Sequence, residues 1–277
     1  RHSAESRGRE VLAALPEDAI AMVIVSRPYN GCDQGLNLNL PEKLRDLGVL
    51  AIPMDFLPLS EEDLSSDFPS MYWKYGQKIL AAARIIARDQ RLNAIYITNF
   101  GCGPDSFVSK FFCRELRGKP YLTIEIDEHS ADVGAITRCE AFLDSLRNVR
   151  GGARHTTYRP EFPQYFLSKD KPRKVFIPYM DDHGEILVAG MARHGLEAEQ
   201  LPMSDAHSIE IGRRFTSGKE CYPCILTTGD IVKCVQRPDF DPERSAFLMP
   251  SATGPCRFGQ YHKFHRMVLD DLGFERV

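Results

Sequence analysis

No stretch of the chain approaches the roughly 18 to 20 consecutive apolar residues that a membrane span requires. The first ten residues, Arg1 to Glu10, are charged where an export signal would be apolar. Membrane and secreted classes are therefore disfavoured, and a cytoplasmic protein with no membrane partner is expected. An excess of one charge is also missing: 35 Lys and Arg against 38 Asp and Glu leave a net charge of -3, with no basic patch. Nucleic acid is thus not an expected partner, because its phosphates are attracted by concentrated positive charge. The chain has no short tandem repeat, no low-complexity tract and no Gly-x-x-x-x-Gly-Lys-Ser/Thr loop, so ATP hydrolysis is not assigned to this segment.

What remains is a globular composition, 43% hydrophobic and 26% charged over 277 residues. That length suits two domains of about 100 to 200 residues or somewhat less. Strand-like runs at Ala21–Val25, Val49–Pro53, Asn93–Phe100 and Tyr121–Asp127 alternate with helical spacing at Leu40, Leu44 and Leu47, over Tyr72–Ala87, over Pro104–Leu116, and on to Leu146. Residues 26–31 read as a loop. From Arg147 to Arg173 the rhythm stops among Gly151-Gly152, Pro160, Pro163 and Pro172, then resumes at Lys174. Helices are expected over Glu185–His194, His207–Phe215, Cys224–Val235 and Tyr261–Leu272, with strands near Glu197–Leu201 and Ala246–Pro250. The expectation is an α/β fold of two Rossmann- or flavodoxin-like lobes with parallel sheets: residues 1–150, a linker over 151–173, and residues 174–277. The chain starts without Met and ends at Phe274-Glu275-Arg276-Val277, which reads as the beginning of a strand. A fragment truncated at its C-terminus is expected.

Eight cysteines in a reducing compartment point to metal or redox chemistry rather than to disulfides. Glu220-Cys221-Tyr222-Pro223-Cys224 sets two thiols three positions apart at a helix start. Gly101-Cys102-Gly103-Pro104 and Gly254-Pro255-Cys256 place single thiols at what read as strand-to-helix turns. Helix amino termini favour thiolates and anionic centres, and ligands in open α/β sheets gather beyond the carboxyl ends of the strands. The expectation is that Cys102, Cys221, Cys224 and Cys256 meet between the lobes and bind a [4Fe-4S] cluster. Zinc satisfies the same count of four thiolates, but structural zinc usually takes two close pairs. Free thiols and a dithiol redox pair at Cys221 and Cys224 are the further alternatives. Cys32, Cys113, Cys139 and Cys234 read as ordinary small side chains.

Several segments together resemble a known family: Arg27-Pro28-Tyr29-Asn30, Asn37-Leu38-Asn39-Leu40-Pro41, Pro53-Met54-Asp55-Phe56-Leu57-Pro58, Phe100-Gly101-Cys102-Gly103-Pro104-Asp105-Ser106-Phe107, Glu125-Ile126-Asp127-Glu128-His129-Ser130-Ala131-Asp132, the clamp at 220–224, and Gly254-Pro255-Cys256-Arg257-Phe258-Gly259-Gln260-Tyr261. From about Met22 to the last residue, the chain resembles the cysteine-rich part of large activase-like proteins related to 2-hydroxyacyl-CoA dehydratases, benzoyl-CoA reductases and double-cubane cluster proteins. The resemblance implies an oxygen-sensitive iron–sulfur protein that passes low-potential electrons in an ATP-coupled reductase or dehydratase system acting on acyl-CoA or another small molecule. Its implied partners are that small-molecule acceptor and an ATP-hydrolysing activator, fused in many relatives; homo-oligomerisation stays open. The activator's own signatures are absent here. A double-cubane [8Fe-9S] centre needs about six thiolates and would recruit Cys32 or Cys234. Three thiolates would leave one iron open, whereas four would close the cube.

Asp127, Glu128, His129 and Asp132, and separately Asp181-Asp182-His183, can supply an acid or base, or cap a helix. The resemblance singles out His129 as the catalytic proton-transfer candidate because it stands in a shared motif. Arg27, Tyr29 and Arg257 are expected on one sheet edge, where they can meet a thioester or phosphates. Trp73 and Tyr75 are expected to pack in a helix interface. The alternative to redox chemistry is a zinc- or thiol-containing scaffold that docks a partner ATPase.

Overall fold

The strand-forming runs pair in two wholly parallel sheets. A computed structural model describes residues 2–127, 129–130, 132–149 and 172–277. The chain divides into two units, Arg1–Pro69 with Trp73–Arg159, and Ser70–Tyr72 with Pro160–Val277. The expected linker, residues 151–173, lies outside the described residues except for its last two.

The first unit contains α1 (His2–Ala14), β1 (Ala21–Ser26), α2 (Pro28–Cys32), α3 (Leu40–Asp46), β2 (Leu50–Pro53), α4 (Lys74–Arg88), β3 (Leu92–Asn99), α5 (Asp105–Glu115), β4 (Tyr121–Ile126) and α6 (Asp132–Val149). Its strand order is β2-β1-β3-β4. The register sets Val23 against Ile52, Ile24 against Ile95 and Ile97 against Ile124. β1 is buried along its whole length and β3 along all but its last residue, as central strands covered on both faces must be. On one face Met22, Ile24, Ile95 and Ile97 pack with Leu40 and Leu44 of α3 and Cys139, Phe142 and Leu143 of α6. Side chains alternate along a strand, so Tyr96 faces the other way and meets Phe112 of α5 with ring centroids 5.0 Å apart. Lys119 is buried and donates from Nζ to the carbonyls of Ile86 and Asp89, at 2.9 and 2.6 Å, closing the carboxyl end of α4.

The second unit holds β5 (Lys174–Ile177), α7 (His183–Arg193), β6 (Ala198–Gln200), α8 (Ala206–Phe215), α9 (Tyr222–Val235), β7 (Ser245–Phe247) and α10 (Tyr261–Asp271). Its sheet runs β6-β5-β7. Phe176 packs with Leu201 and Cys234, and Phe240 touches Phe176, Phe247 and Phe274 at centroid distances of 5.8, 6.2 and 5.9 Å. Helices α8 and α9 lie against each other at two glycines. A Cβ on Gly212 would stand 2.0 Å from the carbonyl oxygen of Ile225, and one on Gly229 would stand 1.9 Å from that of Ser208. Asp205 caps α8 through its carboxylate, which accepts the Ser208 N–H at 2.8 Å.

The expected α/β class and parallel sheets are present, and three details differ. The charged lead is a helix, α1, seated where a Cβ at Gly8 would lie 1.8 Å from the Phe56 carbonyl oxygen; close backbone approach, rather than a broad apolar stripe, marks it. Residues 28–32 form the short helix α2 where a loop was expected, because Pro28 presets the first helical turn. Cys221 and Cys224 stand after α8 at the head of α9, and Cys256 lies between β7 and α10, both as expected. Phe274–Val277 is a turn rather than a strand: Val277 N–H bonds the Phe274 carbonyl at 3.2 Å, and Val277 packs with Ile231 and Val235.

The closeness of α8 and α9 predicts that Gly212→Ala destabilises the protein by about 1 to 3 kcal/mol, since a methyl group must push one backbone off another. Urea unfolding measures this. A loss below about 0.5 kcal/mol would show that the helices separate at little cost.

Candidate functional site

The strand order of the first unit reverses between β1 and β3, and ligands of open α/β sheets collect where neighbouring loops part in this way. Arg27 and Tyr29 leave the end of β1 on one side, and Cys102 and Asp105 follow β3 on the other. Gly101 takes φ +71, a conformation that favours glycine, and so turns the chain sharply after the strand. The Cys102 N–H then bonds the Asn99 carbonyl at 3.2 Å, and the Ser106 N–H bonds the Cys102 carbonyl at 3.2 Å.

Asp105, the first residue of α5, is almost wholly buried. Its Oδ1 accepts from Arg27 Nε at 3.0 Å and Nη2 at 2.8 Å, and its Oδ2 accepts from Thr98 Oγ1 at 2.7 Å. Both oxygens are therefore used, and the helix amino terminus adds favourable positive potential. Burial works against the Arg27 charge, but the adjoining Asp105 carboxylate outweighs it and holds the guanidinium pKa above its ordinary value. Burial and the Asp105 charge push the Cys102 thiol up, while the Asp105 backbone N–H and the Arg27 side chain, both donors to its sulfur, act in the opposite direction. The Tyr96 hydroxyl is buried with no hydrogen-bond partner among the described residues, and burial raises its pKa well above the usual value. Asn30 is fully buried, and neither polar atom of its side chain has a partner among the described residues.

In the second unit Cys221 is the residue that caps α9, and Pro223 stands in the helix's first turn. Its Sγ lies 2.6 Å from the Tyr261 hydroxyl. Burial raises the Tyr261 pKa first, the Cys221 hydrogen bond adds to it, and the charges of Cys221, Cys224 and Cys256 push the same way. Cys224 is wholly buried, with its N–H bonded to the Cys221 carbonyl at 2.9 Å. Cys256 is exposed and precedes a 3-10 turn, Arg257–Gln260, in which a Cβ at Gly259 would lie 2.2 Å from the Ala252 carbonyl oxygen. Behind the clamp, Thr227 Oγ1 meets the Pro223 carbonyl at 2.9 Å and His265 Nε2 at 3.1 Å. Burial lowers the His265 pKa to about 3, so its ring is neutral. Glu220 is buried, and its Oε2 accepts from Ser217 N and Oγ at 2.9 and 3.0 Å.

The four favoured cysteines therefore divide, with Cys102 in the first unit and Cys221, Cys224 and Cys256 in the second. No group of three or more His, Cys, Asp and Glu among the described residues is close enough to hold a metal ion. Cys139 and Cys234 belong to hydrophobic cores, and burial pushes their thiols up to about 11 and about 12. Cys32 lines a cavity of about 70 Å³ beside Ser26, Gly31 and Asp55. His129 is exposed after β4, and its N–H bonds Asp127 Oδ1 at 3.0 Å; Glu128 lies outside the described residues. His183 Nδ1 stands 2.9 Å from Asp181 Oδ2 on the surface, where Asp181 also accepts the Asp182 N–H. Arg257 does not share a sheet edge with Arg27 and Tyr29, because it follows a strand of the other sheet. Tyr75 lies under the Lys78 ammonium, 4.8 Å from its centroid.

Two residues were not legible as parts of these sites. Asp105 carries only the generic signal of an acidic residue at a helix start, which does not disclose its bond to Arg27, 78 positions away in sequence. Tyr261 shows no spacing relation to Cys221.

Residues 1–57 match the family described as the CoA enzyme activase uncharacterised domain. This amino-terminal segment is thus similar to an activase-associated family; the match takes in Arg27-Pro28-Tyr29-Asn30 and Cys32 but none of Cys102, Cys221, Cys224 and Cys256. No curated protein and no solved structure matches the chain. Among the described residues no helix is long and apolar enough to cross a membrane.

The burial pattern predicts how the thiols of metal-free protein react with iodoacetamide at pH 8. Exposed Cys32, Cys113 and Cys256 should be modified at least about tenfold faster than buried Cys139, Cys224 and Cys234, because a buried thiol is less accessible and burial also raises the pKa of Cys139 and Cys234. Peptide mass spectrometry over time resolves the two classes. Rapid labelling of Cys224 or Cys234 would contradict this arrangement.

Proposed function

We propose that this chain is an iron–sulfur module of an activase-related electron-transfer system, with Cys221, Cys224 and Cys256 as thiolate ligands and Cys102 as the fourth. The observation that supports the reading is the Cys221 sulfur at the head of α9, 2.6 Å from the Tyr261 hydroxyl. Soft thiolate donors suit iron–sulfur centres, and hydrogen bonds to their sulfurs tune them. Tyr261 O–H, 2.6 Å from Cys221 Sγ, is such a donor once that sulfur is a thiolate. A [4Fe-4S] cluster bound by these residues supplies one-electron transfer at low potential.

The chain's own contribution is to hold and shield. Cys221 caps a fourteen-residue helix, so its thiolate meets the positive end of the α9 dipole. Wholly buried Cys224 keeps water from one side of the donor set, and neutral His265 places no second charge behind it. Four thiolates leave no protein-free iron position, which favours electron transfer over binding substrate at iron. An ATP-hydrolysing activator, as a domain or subunit, is the electron donor in this reading, and an acyl-CoA or another small molecule is the acceptor. In this reading exposed His129 is the proton-transfer residue.

Anaerobic purification followed by iron and acid-labile sulfide analysis tests the proposal. About four of each per chain are expected, falling to less than about half in Cys221→Ser. Stoichiometric zinc without sulfide would defeat the proposal and leave a scaffold that docks an ATPase.

A further inference from the structure

Helix α7 follows β5 and packs on β6, and one side of it is explained by that contact. Gly184 is buried there, where a Cβ would lie 2.5 Å from the Gln200 side chain. Val188 and Met191, on the same side at helical spacing, are partly buried. The opposite side has no such explanation. Ile186 is 70% exposed, and Asp182, Ala189, Gly190 and Arg193 are exposed with it, at the spacing of a single helical face. Gly190 stands inside the helix, where glycine is less stable than alanine, yet a Cβ on it would meet nothing within 4 Å. Gly184, Gly212 and Gly229 each make room for a neighbouring group, whereas Gly190 makes room for nothing in its own chain. No carboxylate pairs with Arg193 among the described residues.

The order of residues along this face matches its own reverse. When a second α7 lies antiparallel, about a twofold axis through the middle of the helix, Asp182 of each copy falls opposite Arg193 of the other. Ile186 then falls opposite Ala189, with Gly190 beside it. Unlike charges meet at both ends, and a large side chain meets small ones between them. We propose that this face of α7 is where two copies of the chain associate, helix against helix and antiparallel. Gly190 lets the two helices approach closely, as Gly212 and Gly229 do for α8 and α9. The eleven residues of α7 span about 16 Å, a footprint below that of a standard interface, so the association is weak, in the micromolar range. The inference does not depend on the ligand set proposed above.

Sedimentation velocity of the full chain, purified anaerobically, from about 1 to about 300 μM tests it. A monomer–dimer equilibrium is expected. Ile186→Glu is expected to weaken the dimer at least about tenfold, because the twofold axis sets the new carboxylate into the apolar contact twice. Asp182→Arg and Arg193→Asp are each expected to weaken it by a similar factor, since each sets like charges opposite one another. Mixed in equal amounts, these two variants are expected to associate with each other about as well as wild type, because every pair across the axis again joins opposite charges. Thermal unfolding of each variant checks that it is folded, and if Ile186→Glu is not, the mixing experiment decides. A chain that stays monomeric up to about 300 μM overturns the proposal and leaves the face to a different occupant. A dimer that keeps its affinity in folded Ile186→Glu, or folded charge variants that fail to associate when mixed, overturns it as well.

Discussion

Asp105 is a carboxylate almost without solvent that accepts hydrogen bonds from the end of β3, through Thr98, and from the loop after β1, through Arg27. It is also the first residue of α5, so a single acidic group joins a strand, a loop and a helix start. A charge in that position is tolerated only because every oxygen is occupied and the helix dipole points toward it. Removing any one of these supports would leave the others paying for an unpaired ion. Cys102 lies three residues earlier, within the turn this arrangement holds, and owes its position to the arrangement.

The second unit gathers its thiols by another means. Gly212 and Gly229 let α8 and α9 approach until backbone meets backbone, which sets the end of α8 and the start of α9 close together. Cys221 therefore stands at a helix-to-helix junction, and Tyr261, at the head of α10, reaches its sulfur. Thr227 and Thr228 tie their hydroxyls to carbonyls of the first turn of α9, and His265 packs behind them as a neutral ring. The two units thus place cysteines at helix starts by unlike routes, one through a strand-end glycine turn and the other through close helix packing.

Much of this was readable before any coordinates. The apolar runs of β1 and β3 announced strands of a parallel sheet, and Gly48 and Gly195, both with positive φ, ended α3 and α7 where expected. The cysteine-bearing turns were visible from glycine and proline alone. The start of α1 was not, because its seat depends on one glycine meeting a distant carbonyl, and no periodic signal records such a contact. The Arg27 and Asp105 pair was equally hidden, since either residue alone is an ordinary loop or cap residue.

Taken by itself, the amino-acid sequence determined the alternation of strands and helices, the parallel α/β class, and which thiols sit at helix starts. These depend on local spacing and on turn chemistry within a few residues, and such information is written along the chain. Tertiary structure alone decided that Cys234 and Cys139 are core side chains, that Tyr261 answers Cys221, and that Arg27 faces Cys102 and Asp105. Those outcomes depend on which groups exclude water from one another across long stretches of chain, and burial of that kind exists only after the elements have packed.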